Sequence, residues 1–408
     1  MMSFEEARTT ILDHVAPLTS EQSELLDSLG RVTAEEIIAP FNLPSFDNSA
    51  MDGYAVRTAD CSHNVTLPIV DYIPAGGVAH TKVTAGKAIK IMTGAPVPPG
   101  ADAIVPFEDA EEANQSVKVK DAVKSGQHIR HAGEDVRKGD VVISSGRVIR
   151  VPEINMLANL GRRSVQVYRK PIVAILATGD ELVEPGQPLS EGKIYNSNSM
   201  MLAASVLEAG ATPLILGIAK DDREILRSKI EEGLKADALI TAAGVSVGDR
   251  DYVRETLTEF GVKQVFWKIN IKPGKSAAFG IYGTKPVFSL PGNPVSAMIT
   301  FEELVRPALL KMMGSQHSIQ PLLTATLQED LRKKAGKIFF ARVRLQVTKG
   351  KLVAWSAGHQ DTGFQRTICL ADGIATLPAD RSNFRAGEEI EVRVLSNALN
   401  LAEMSSHS

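Results

Sequence analysis

Residues 171–181, PIVAILATGDE, read as a buried β-strand that ends on a cluster of small and acidic groups, and the organisation of the chain follows outward from them. An aliphatic run between Pro171 and Gly179 is the pattern of a strand covered on both faces. An apolar helical pattern over 199–209 then leads into a strand at 213–218. Asp221 and Glu224 have capping-box spacing for a helix through 235, and 238–242 reads as the next strand. A helix over 251–260, strand-like runs at 265–271 and 286–290, and a helix from Pro294 to about 313 complete the alternation. Strands alternating with helices predict βαβ units and an open, mostly parallel, doubly wound sheet over 171–316.

Upstream, Ser3 and Glu6 form a capping-box pattern ahead of Phe4, Ala7, Ile11 and Val15 at helical spacing. From about 40 to 146 short apolar runs are broken by Pro and Gly, which predicts a β-rich lobe, with 109–124 as a hairpin or surface excursion. A helix at 152–160 is expected to return the chain to the first helical layer, so that 1–170 makes one N-terminal region. Beyond 316 the helical period stops, and runs at 322–327, 339–347 and 389–394 predict a small all-β domain over 317–408, frayed after Leu401.

Bulk properties set limits. A chain of 408 residues exceeds the roughly 250–300 at which one core stops growing, so two to four domains are expected. A net charge of -3 gives no general attraction to polyanions, which argues against nucleic acid as a partner. Cys61 and Cys369 lack the paired spacing of a zinc site or a disulfide framework and suit a reducing cytoplasm. The N-terminus runs into acidic residues, unlike a signal peptide, and no apolar run approaches the roughly 18 residues of a membrane span.

Four segments carry candidate chemistry. FDNSAMDGYAV (46–56) sets carboxylates and small polar groups around one Met, or else is a turn into a strand with Asp52-Gly53 as turn chemistry. Thr178-Gly179-Asp180-Glu181 lies at the carboxyl end of the first sheet strand, where open sheets bind ligands; it also fits a polar corner. AGVSVGDRDY (243–252) could hold a phosphate on backbone amides, with Asp249 or Asp251 open to a divalent cation. In the fourth, Lys268, Lys272 and Lys275 precede LPGNPVSA (290–297), where Asn293 suits an N-cap and Pro294 the first helical position. Such an end suits an oxyanion, or is a solvated lysine pair beside an ordinary helix. With no GxGxxG and no Walker lysine, the residues alone lead to a phosphoryl-type or nucleotide-handling α/β enzyme of open substrate.

The strings DNSAMDGYAV (47–56), IMTGAPVP (91–98), GED (133–135), TGDEL (178–182), GVSVGDRDY (244–252), KPGK (272–275) and LPGNPVS (290–296) stand in an order that resembles the molybdopterin molybdotransferase family, MoeA in bacteria and the E domain of gephyrin in animals. The resemblance covers nearly the whole chain. It implies a homodimer of four-part subunits: helical and β-rich N-terminal lobes, a molybdopterin-binding α/β domain and a C-terminal β-barrel-like domain. The implied reaction inserts molybdate into adenylylated molybdopterin with release of AMP, assisted by Mg²⁺. Carried over by position, Asp52, Thr93, Asp135, Glu181, Lys268, Lys272 and Lys275 are the implied catalytic residues. Gly179, Asp180, Gly244, Ser246, Gly248, Pro291, Asn293, Pro294, Ser296 and Arg342 are implied to bind substrate, and Asp221 and Asp251 to hold Mg²⁺. Asp52 and Thr93 of one subunit would stand opposite Glu181 of the other. The adenylyltransferase of the same pathway and molybdoenzyme acceptors are implied as further partners. Three positions depart from the pattern: Ala243 where the family has Gly, Ser276 where it has Pro, and Thr362 near an expected Ser.

Two other functions fit less well. A molybdopterin-binding storage or scaffold paralogue would not need the full set of carboxylates and lysines, and an adenylyltransferase would resemble only the α/β domain.

Overall fold

A computed structural model describes residues 1–220, 222–243 and 252–395. The chain forms two compact units, one of Met1–Ala34, Gly146–Arg150 and Ser164 onward, the other of Glu35–Ser145 and Val151–Arg163. No described helix is long and apolar enough to cross a membrane.

The centre of the first unit is a six-stranded sheet in the spatial order Thr212–Ala219, Ile172–Thr178, Ala238–Ala242, Lys285–Leu290, Ala278–Tyr282, Lys263–Trp267. The first four strands are parallel, as the βαβ alternation predicts. The last two are antiparallel: the strand read over 265–271 is found at Lys263–Trp267, while Ala278–Tyr282, which the reading lacks, joins Lys285–Leu290 by a tight hairpin at Gly283 (φ 61°). Side chains alternate across the sheet. Val173 and Ile175 meet Leu202, Val206, Val295 and Ile299 on one face, while Ala174 and Leu176 meet Leu226, Ile230, Val253 and Leu257 on the other. Helices thus cover both sides, and the polar strand ends are left as the place for a site.

Ser3 and Glu6 make both bonds of the capping box, Ser3 Oγ accepting from Glu6 N at 3.2 Å and Glu6 Oε2 from Ser3 N at 2.9 Å. The helix they start, Phe4–His14, belongs to the first unit, and the helix at Val151–Asn159 to the second. Its stripe of Phe4, Ala7 and Ile11 enters the α/β core, where the Phe4 ring meets Phe340 edge-on at 5.0 Å between centroids. Farther along, the helix Arg223–Gly233 is capped by Asp222, whose Oδ1 accepts from Glu224 N and Ile225 N, so the N-cap lies one residue beyond the expected Asp221 and, with Ile225 at N3, no capping box forms there. The predicted long helix from Pro294 consists of Pro294–Thr300, a wide π turn at Phe301–Val305, and Arg306–Met312. Pro307, which has no N–H to donate, follows directly on the wide turn.

The C-terminal region is all-β, as expected. Ile338–Thr348 pairs with both Lys351–Ser356 and Gly373–Leu377, and Leu323–Leu327 and Glu389–Val394 close the remaining gap into a five-stranded barrel. Closure leaves no long free edge. Ile271–Lys272 adds in parallel to Ile338 and Phe339, tying the lysine segment to the barrel.

The second unit is built on a six-stranded sheet, Ala103–Pro106, Gly53–Val56, Ala88–Ile91, Val65–Ile73, Ser116–Val119, Ala110–Ala113. Residues 110–119 form the hairpin, turning at Asn114 and Gln115 with φ of 52° and 57°. Gly53 is not a turn residue. It opens a strand, and a Cβ there would collide with the Val105 carbonyl, so close strand approach requires glycine.

Candidate functional site

Ala242 and Leu290 end adjacent parallel strands, and the chain just beyond them enters a cleft of about 550 Å³ in the first unit. The cleft is walled by the 268–276 segment, Pro291-Gly292-Asn293, Ser296, Lys337 and Thr362. Asn293 builds one wall in two ways. Its Oδ1 accepts from Val295 N (3.1 Å) and Ser296 N (3.3 Å), capping the helix that Pro294 starts, while its Nδ2 donates to Thr362 O at 3.0 Å in the barrel region. Asn198 holds the loop from the other side, its Nδ2 donating to Gly292 O at 2.7 Å.

The lysine wall is a tight backbone excursion. Ile269 N donates to Lys275 O at 3.1 Å and Lys268 N to Ala277 O at 3.1 Å, closing the loop. Gly274 has φ 107° and rests on the helix behind it, so a Cβ would strike Thr300 Cγ2. Lys268 has φ 70°, a left-handed conformation that costs a side-chain-bearing residue about 1–2 kcal/mol. Strain held by the surrounding bonds fixes where this lysine leaves the backbone. Lys272 Nζ lies 5.7 Å from the Phe339 ring centroid.

Four lysines, Lys268, Lys272, Lys275 and Lys337, line this cleft, and among the described residues its lining contains no carboxylate. Burial lowers the Lys337 pKa first, and the charges of Lys275 and Lys272 lower it further. A cleft of uncompensated ammonium groups is complementary to a multiply charged oxyanion. Arg342 does not line the cleft. It is 2% exposed and lies behind the 359–361 loop, Nε donating to Thr367 Oγ1 at 2.7 Å and Nη2 to the His359 and Asp361 carbonyls at 3.1 and 3.2 Å. Its Nη1 is buried with no partner among the described residues. Buried Arg306 and Arg393 each meet a carboxylate, whereas Arg342 bonds only neutral oxygens, so its charge adds to the positive field.

Thr178 ends the strand next to Ala238–Ala242, which places Gly179, Asp180 and Glu181 on the same sheet edge, though outside the cleft lining. Gly179 has φ 143°, a conformation that side-chain-bearing residues rarely adopt, and the exposed Glu181 carboxylate folds over it. Gly244, Ser246, Gly248, Asp221 and Asp251 lie outside the described residues.

In the second unit Asp52 and Thr93 come together. Asp52 Oδ1 accepts from Thr93 N at 2.7 Å and from Thr93 Oγ1 at 2.8 Å, and these two bonds, the backbone one first, hold its pKa below the ordinary carboxylate value. The carboxylate is exposed, charged and pre-oriented. Asp135 is exposed on a turn fixed through Asp135 N to Leu43 O (3.1 Å), and Asp47 ties the start of that turn, accepting from Ala132 N at 2.8 Å.

Ala243 takes the left-handed conformation, φ 78°, that the family's glycine would adopt freely, with its N donating to Leu290 O at 3.2 Å. Ala243→Gly is therefore expected to raise the unfolding free energy by about 1 kcal/mol, the strain relieved less the entropy glycine adds to the unfolded chain. Denaturant unfolding measures it; destabilisation instead would mean that the Ala243 methyl packs productively.

Sequence reasoning missed Lys337 and Asn198. Neither sits in a motif: Lys337 is placed by the turn before strand Ile338–Thr348, and Asn198 by the start of helix Ser197–Glu208.

Residues 2–161 match the family model for the MoeA N-terminal region (domain I and II), 174–311 that for a probable molybdopterin binding domain, and 324–395 that for the MoeA C-terminal region (domain IV). The chain is 36% identical to a molybdopterin molybdenumtransferase of Haemophilus influenzae, over 98% of this chain and 100% of the relative. It is 35% identical to molybdopterin molybdenumtransferase 2 of Mycobacterium tuberculosis, over 96% and 99%. A crystal structure of the molybdopterin biosynthesis MoeA protein of Pyrococcus horikoshii superposes with a TM-score of 0.84 at 32% identity, covering 97% of this chain and 100% of that one.

Proposed function

The chain belongs to the MoeA family of molybdopterin molybdenumtransferases, and from that premise we infer that it inserts molybdenum into molybdopterin, taking molybdate and adenylylated molybdopterin and releasing AMP. The observation that carries the reading is the cleft at the end of the parallel sheet, with four lysines and, among the described residues, no carboxylate in its lining. Two anions must meet for this reaction, a pyrophosphate-linked pterin and molybdate. In water they repel; against fixed ammonium groups the repulsion is offset without any reorganisation at the moment of reaction.

In this reading Lys272, Lys275 and Ser296 hold oxyanion oxygens, and Arg342 acts from behind by its field and by fixing the 359–361 loop. Glu181 and the Asp52–Thr93 pair stand near the dithiolene, where molybdenum joins its two sulfurs as the pyrophosphate linkage is cleaved and AMP leaves. Asp52, held ionised by Thr93, acts there as an acceptor or fixed charge, not as a proton donor near neutral pH. Asp221 and Asp251 are proposed to hold Mg²⁺, which when bound would neutralise pyrophosphate charge. A homodimer with Asp52 of one subunit serving Glu181 of the other is part of the proposal; a monomer in sedimentation would remove that part. The unpaired thiols of Cys61 and Cys369 support a cytoplasmic setting.

Incubating the purified protein with adenylylated molybdopterin and Mg²⁺, with and without molybdate, tests the reading. AMP release that depends on molybdate is expected. Tight pterin binding without AMP release would favour a storage or scaffold role.

A further inference from the structure

A second cavity, about 480 Å³, adjoins the lysine cleft on the barrel side, one wall being the turn from Arg332 to Lys337. Lys272, Arg332, Lys333, Lys334 and Lys337 surround it, against one carboxylate, Asp361. That carboxylate is already engaged, its Oδ1 accepting from Gly363 N at 3.0 Å. Lys333 is held by the fold, donating from Nζ to Lys337 O at 3.0 Å, whereas Arg332 and Lys334 are exposed. In a chain whose net charge is -3, five cations about one occupied carboxylate make a local field opposite in sign to the whole.

The two cavities share Lys272 and Lys337. An anion passing from the outer to the inner one therefore keeps two ammonium groups beside it along the way. Four of the five cations are lysines, point charges on flexible stems that select charge over planar shape, which suits a compact tetrahedral dianion better than a nucleobase.

We propose that the Arg332–Lys337 cavity is a loading site for a tetrahedral oxoanion, which it concentrates and passes to the inner cleft across Lys272 and Lys337. The identity of the anion as molybdate rests on the proposed function; the existence of the site does not.

Equilibrium dialysis of labelled molybdate against the full chain at low ionic strength separates the two. The wild type is expected to hold about two anions per chain, and Arg332→Ala/Lys334→Ala and Lys275→Ala about one each, by loss of different sites. Phosphate is expected to displace molybdate from the outer site, since the recognition is of charge. In AMP release, Arg332→Ala/Lys334→Ala should raise the KM for molybdate about tenfold with kcat unchanged, the difference fading toward 0.5 M salt as screening shortens to roughly 4 Å. Both side chains are exposed, so the fold is kept. An undiminished anion count in this double variant would overturn the loading site, as would a lower kcat at unchanged KM. A count of two without any AMP release would leave the loading site standing and remove the transferase reading.

Discussion

Lys275→Ala is expected to cut molybdate-dependent AMP release by about 10²–10³-fold while the protein melts as the wild type does. Lys275 lines the cleft, has no ion-pair partner among the described residues and sits one residue after Gly274, whose fixed position aims the segment. Its ammonium is thus available to a ligand and carries little of the fold. The loss should fall on kcat as well as on kcat/KM, because the repulsion it offsets is greatest when both anions are together. Lys275→Arg keeps the charge but changes a point charge into a planar fork, so partial recovery is expected. A loss below threefold in Lys275→Ala would remove Lys275 from the site. The same substitution also takes away one of the charges that depress the Lys337 pKa, so Lys337 should titrate at higher pH in the variant.

Arg393→Ala should lower the unfolding free energy by about 3–5 kcal/mol. Arg393 is 3% and Glu303 1% exposed, and the guanidinium meets the carboxylate through two bonds, Nε to Oε1 and Nη2 to Oε2, each 3.0 Å. The arginine belongs to barrel strand Glu389–Val394 and the glutamate to the wide turn Phe301–Val305 beneath the sheet. Removing the arginine leaves the Glu303 carboxylate buried without its hydrogen-bonded counter-charge, with only Arg8 acting on it through space, which costs more than the net worth of the pair. Replacing both partners together, Glu303→Leu with Arg393→Met, should recover most of the loss, since no bare charge remains. Urea unfolding of the three variants decides it. If Arg393→Ala costs less than 1 kcal/mol, the pair is not what joins barrel to sheet.

The sequence made the parallel half of the sheet legible because aliphatic runs such as 172–177 have one stable solution, burial on both faces between helices. Caps were legible where a side chain does a local job: Ser3 with Glu6, and Asn293 with Pro294. The antiparallel edge was not, since the strand at Ala278–Tyr282 carries small residues with weak periodicity and owes its place to the hairpin with Lys285–Leu290. The pairing of Ser20–Glu24 with Ser164–Tyr168 was equally hidden, a polar strand matched to a partner far along the chain. At the site, the lysines were found by type and spacing, but the burial of Arg342 behind the 359–361 loop is a tertiary fact that no local pattern encodes. The same holds for Lys337, which reaches the cleft only because the barrel brings its turn there.

The helix Phe4–His14 is synthesised long before Phe340, against which it docks. At about 5–20 residues per second, the nascent chain carries the stripe of Phe4, Ala7 and Ile11 without its berth for most of translation. At 11 residues the segment is shorter than the roughly 12–15 at which an isolated helix becomes stable in water, so the capping box biases it toward the helix and the tertiary contacts complete it. A polypeptide released before the 301–312 segment and Phe340 are made would leave those apolar side chains uncovered and open to association with other chains.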